Sequence, residues 1–137
     1  MLANRIKVIA AAVVMMFAFA GEAHAQALRK IVFANDCNRS IQLFVYSADS
    51  YHNWQPHGWY KFDPNDSYAY IRANGSPLLQ LEDHDLYFYA ETTDGGSVKR
   101  WQGGGPQVNY QGGIFNTMKA NTWVNNDGDI AVRITCP

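Results

Sequence analysis

The chain has 137 residues, 11 basic and 12 acidic, for a net charge of −1, and 14% of it is aromatic. Charges this balanced and this interspersed exclude a bulk electrostatic attraction to nucleic acid. The aromatic share is the compositional feature left to explain.

The chain opens with Arg5 and Lys7, an apolar run from Val8 to Ala20, and Ala23-His24-Ala25, which has the small-x-small form of a signal-peptidase site. Residues 1–25 therefore read as a signal peptide, cleaved before Gln26. The apolar run falls short of the roughly 20 residues that span a bilayer, so no stable transmembrane anchor is expected after processing. The mature domain, 26–137, keeps nine basic and eleven acidic residues, a net charge of −2. In an oxidising compartment its two cysteines, Cys37 and Cys136, allow one intramolecular bridge.

Arg29 to Ala34 reads as a first strand ending in the turn formers Asn35 and Asp36. Beyond Cys37 a second strand places Ile41, Leu43 and Val45 on one face and Gln42, Phe44 and Tyr46 on the other. Ser47 to Gly58, with His52, Trp54 and His57, is expected to be a loop leading into Trp59 to Phe62. Asp63-Pro64-Asn65-Asp66 reads as a hairpin turn returning through Ser67 to Arg72, with Tyr68 and Tyr70 on one face. Leu78 to Leu81 is apolar but of undefined type, and Glu82-Asp83-His84-Asp85 precedes the next strand.

That strand, Leu86 to Glu91, is expected to point Leu86, Phe88 and Ala90 inward and Tyr87 and Tyr89 outward. Asp94-Gly95-Gly96 turns it into Ser97 to Trp101. Gln102 to Gly113 is rich in glycine and reads as a long loop, a length that in compact domains is often functional. Thr122 to Val124 and Ile130 to Ile134 flank Asp127-Gly128, a strong hairpin signal, with Ile130, Val132, Ile134 and Cys136 on one face. The absence of a sustained helical period predicts an all-β single domain, a small antiparallel β-sandwich or partly open barrel.

Three ordered motifs, Cys37-Asn38-Arg39-Ser40, Gly58 to Pro64, and Leu86 to Glu91, give the chain a resemblance to a bacterial family designated domain of unknown function 1036. The likeness runs from about Ile31 to Trp101. It implies a small exported bacterial domain without assigned chemistry. Family members often carry another cysteine just after the Pro turn, where this chain has Asn65-Asp66-Ser67.

No local motif assembles a catalytic nucleophile, a phosphate loop or a metal site, and no cofactor is expected. The principal expectation is a non-catalytic module that binds a protein partner or cell-envelope glycan through an aromatic face. Its candidate contacts are Trp54, Trp59, Tyr68, Tyr70, Tyr87, Tyr89 and Trp101, because Tyr and Trp join an apolar ring to a polar tip. Two alternatives remain open. One is a small envelope hydrolase using His84 or His57 with nearby carboxylates, which requires those groups to converge. The other is a secreted effector acting at a membrane.

Overall fold

Period-two alternation early in the described residues yields two long strands, β1 (Leu28–Asn35) and β2 (Ile41–Ala48). The computed structural model describes residues 27–137; the expected signal peptide, 1–25, lies outside them. Between the two strands the side chain of Asn35 shapes the turn. Its Oδ1 accepts from the Cys37 amide, and its Nδ2 donates to the carbonyls of Arg39 and Asp63. An asparagine that is 1% exposed is thereby satisfied at every polar atom it presents.

The architecture is all β, with no helix among the described residues. Two five-stranded sheets pack face to face without closing into a barrel. In the first, β1 is central. It pairs in parallel with β14 (Ile130–Ile134) on one side, and antiparallel with β4 (Ala69–Tyr70) and β7 (Leu79–Leu81), one after the other, along its opposite side. Strand β13 (Thr122–Val124) pairs with β14 and forms one edge of the sheet. In the second sheet, β2 lies between β3 (Trp54–Phe62) and β8 (Tyr87–Thr92), and β8 also takes β9 (Arg100–Trp101) and β12 (Met118–Lys119). Two small hairpins complete the fold, β5 (Arg72–Ala73) with β6 (Ser76–Pro77), and β10 (Gln107–Tyr110) with β11 (Gly113–Asn116).

Several sequence expectations change here. The segment Trp54 to Gly58 is strand rather than loop, because it pairs with the end of β2. Ser67 to Arg72 does not return beside Trp59 to Phe62. It crosses to the other sheet, where Tyr70 pairs with Val32. The presumed long loop contains a hairpin, turned at Gln111 and Gly112 with φ of 49° and 82°. Two consecutive positive φ values are the type I′ geometry, whose twist matches paired strands.

Between the sheets lies one core. Ile31, Phe33, Ile130, Val132 and Ile134 from the first sheet meet Ile41, Leu43, Val45, Phe88 and Ala90 from the second. Phe33 and Phe88 touch edge to face, 5.8 Å apart, so β1 of the first sheet is pinned to β8 of the second. The Cys37–Cys136 disulfide forms across a sequence separation of 99 and ties the end of the last strand to the β1–β2 turn.

A second link is electrostatic. Arg39 Nε donates to Asp94 Oδ2 at 2.8 Å and Arg39 Nη1 to the Ser97 carbonyl, joining the β1–β2 turn to the β8–β9 turn. The guanidinium holds the Asp94 carboxyl at about 2, below its ordinary 3.8. Since the folded-state value is depressed, this contribution is fully present above about pH 4 and disappears as pH falls towards 2. A carbon-detected titration should place the Asp94 midpoint near 2 in the native chain and return it towards 3.8 in Arg39→Gln. An unchanged midpoint in the variant would assign the shift to another source.

Candidate functional site

The outer face of the second sheet carries a continuous aromatic stripe, and its residues follow from alternation on β2, β3 and β8. Along one half, Phe44 sits among Trp59, Tyr89, Tyr110 and Phe115, with ring centroids 5.0–5.9 Å from its own. Here Phe44 alone faces Gly58 and Trp59 across a register shift in the β2–β3 pairing. A Cβ on Gly58 would approach the Phe44 Cβ to 2.6 Å, so glycine is required for the two strands to close at this bulge. The β10–β11 hairpin lies over this half, and the Tyr110 hydroxyl donates to the Gly58 carbonyl at 2.6 Å.

Tyr89 therefore points outward from its sheet, as alternation predicts, but is 4% exposed beneath the hairpin. Its hydroxyl donates to Glu91, and burial together with that carboxylate raises its pKa. Trp59 belongs to the same covered cluster. Trp101 is buried in the main core, where its indole N–H donates to the Thr135 carbonyl. These three of the seven aromatic candidates serve packing in this structure.

The other half of the stripe is only partly buried. Tyr46 and Trp54 lie nearly parallel, 5.3 Å apart with an interplanar angle of 27°, and Tyr87 follows 5.8 Å from Trp54. Beyond them His84 contacts both Trp54 and Tyr51, and His52 contacts Tyr51, which is 65% exposed. Polar groups rim this shelf. His84 Nδ1 lies 2.9 Å from Asp83 Oδ1, and Lys119 Nζ lies 3.3 Å from Asp85 Oδ1. The rim is fastened from below by Gln80, fully buried, whose Nε2 donates to the carbonyls of His84 and Asp85 while its Oε1 accepts from the Ala48 amide.

Tyr68 and Tyr70 occupy the opposite sheet. They stand on the outer face of the first sheet, 42% and 40% exposed, and Tyr68 meets Trp123 edge to face at 6.2 Å. The Tyr70 hydroxyl donates to Asp129 at 2.7 Å, which raises the tyrosine pKa. The aromatic candidates thus divide between two separate exposed surfaces and the interior. Tyr46, Tyr51 and Trp123 were not among the sequence candidates. Tyr46 and Trp123 could have been found by extending the same alternation to every strand.

The histidines separate as well. His84 belongs to the shelf, whereas His57 lines a cleft of about 100 Å³ between the sheets with Ser47, Asp49, Asn53, Gln55 and Leu78. Burial lowers the His57 pKa against the opposing charge of Asp49. No hydrogen bond joins His57 to Asp49 or Ser47. Among the described residues no three His, Cys, Asp or Glu side chains gather as a metal site.

Fold and surfaces together define a disulfide-closed, two-sheet β domain with exposed aromatic platforms. No family model, curated protein or solved structure matches the chain.

Proposed function

We propose that this is an exported bacterial envelope domain that binds a glycan on the shelf formed by Tyr46, Trp54 and Tyr87. The observation that carries the reading is the stacked, partly buried pair of Tyr46 and Trp54 rings, 5.3 Å apart, bordered by Asp83, His84, Asp85 and Lys119. A pyranose presents an apolar face and a rim of hydroxyls, which suits rings with charged donors and acceptors at their border. Export is supported by the leader-like residues 1–25 and by the Cys37–Cys136 bridge, a bond that persists in oxidising compartments. The resemblance to the uncharacterised bacterial family fits the same setting.

Replacing Trp54 by Ala is expected to weaken binding of envelope oligosaccharides by about tenfold to a hundredfold, the range of an aromatic anchor. Tryptophan fluorescence and calorimetry with the mature domain would measure it. Undiminished affinity in a folded Trp54→Ala variant would remove the shelf from the binding event, and capture of a protein through the same residues would replace the glycan with a protein partner.

A further inference from the structure

The outer face of the first sheet presents a different chemistry from the shelf. Registry places Trp123 across from Ala131, Ala131 beside Val32, and Val32 across from Tyr70, and the Trp123 ring reaches over the buried Ala131 and Val32 to meet Tyr68. The next row outward on β14 is Arg133, beside Ala34, followed by Thr135 beyond the strand. Alternation keeps Arg133 and Thr135 on the face of Ala131 and Trp123, opposite to the core residues Val132 and Ile134.

Arg133 lines two shallow depressions. The one towards Tyr68, about 360 Å³, includes Asp36 and Asp66. The one towards Trp123, about 480 Å³, is lined by Asn121, Trp123, Arg133 and Thr135 and contains no acidic side chain. From the first side Tyr68 and the carboxylate of Asp36 raise the Arg133 pKa, while no carboxylate among the described residues lies within 4.0 Å of the guanidinium. An arginine has five N–H donors in a planar fork, so donors remain for a second, bidentate partner.

We infer that the depression between Trp123 and Arg133 is a subsite for a carboxylate-bearing sugar, with the pyranose on the Trp123 indole and its carboxylate on Arg133. Asn121 and Thr135 then meet the ring hydroxyls. A planar carboxylate matches the guanidinium fork, and Trp123, 43% exposed as a residue, supplies an indole surface for stacking. Because the residues lie on β13 and β14, this subsite does not depend on the Trp54 shelf.

The test uses tetragalacturonate and its carboxyl-reduced, neutral counterpart, titrated calorimetrically into the mature, oxidised domain. The acidic oligomer is expected to bind at least about tenfold more tightly than the neutral one, the scale of a lost charge-assisted pair. Arg133→Gln should erase that difference, Trp123→Ala should weaken binding about tenfold or more, and Trp54→Ala should leave it unchanged. Both positions are exposed, and circular dichroism confirms that each variant is folded before titration. Equal affinity for the two oligomers, no binding of either, or an acidic preference that survives Arg133→Gln would overturn the assignment. Loss of uronate binding in Trp54→Ala alone would transfer it to the shelf.

Discussion

Reduction of the Cys37–Cys136 bridge is expected to lower the unfolding free energy by about 4–5 kcal/mol, as the chain-entropy model gives for a closed loop of this size. The effect is large because the crosslink spans nearly the whole described chain, with a sequence separation of 99. A domain of this length is typically stable by about 5–15 kcal/mol, so reduction removes about a quarter or more of the total. The midpoint of thermal unfolding should fall by about 15–20 °C. Urea titrations of the oxidised and dithiothreitol-reduced protein provide the measurement, without replacing the buried Cys37 by a side chain of another shape. A loss below about 1 kcal/mol would mean that the parallel β1–β14 pairing holds the chain ends together in the unfolded ensemble or does so unaided in the native state.

Phe44→Ala is expected to cost about 3–5 kcal/mol, as for other fully buried aromatic truncations. Its structural consequence is more specific than its size. Phe44 is the ring shared by Trp59, Tyr89, Tyr110 and Phe115, and these contacts dock the β10–β11 hairpin onto the second sheet. A two-stranded hairpin has little stability alone, so it should detach before the sandwich opens. Hydrogen exchange resolved by mass spectrometry should show amides of 107–116 accelerating while β1 and β8 stay protected. Uniform acceleration of both regions would show instead that the two clusters unfold as one cooperative unit.

Much of the fold is written in local patterns. The β13–β14 hairpin follows from its alternation and from Asp127-Gly128, and the inward set Leu86, Phe88 and Ala90 follows from the period of β8. What alternation cannot supply is the partner. Nothing in the residues of β1 shows that its neighbour is β14 rather than β2, since the pairing depends on how the whole chain returns. Trp54-Gln55-Pro56-His57-Gly58 looks like a loop because proline and glycine weaken strands. It is a strand because Pro56 and Gly58 lie where an edge and a bulge tolerate them.

The site was legible to the same degree. Tyr87, Tyr68 and Tyr70 are exposed or half-buried as alternation requires, and Trp54, expected in a loop, is half-buried on a strand; alternation offers no means of knowing that they face away from each other on two sheets. Tyr89 shows the complementary limit. A side chain directed away from one core is exposed only if no other segment covers it, and the covering segment here resembles a glycine-rich loop in composition.

The central position of β1 also orders the assembly of the molecule in time. Strands β2, β3 and β8 are near one another along the chain and can associate as soon as residue 92 is available. The first sheet cannot, because β1 waits for β14, almost a hundred residues later. A chain emerging amino end first therefore holds β1 with one flank unpartnered, and its apolar residues uncovered by β14, until β14 has been made. Contacts this distant in sequence also make folding slow, and the exposed interval is when such a chain is most open to aggregation or to a holding chaperone.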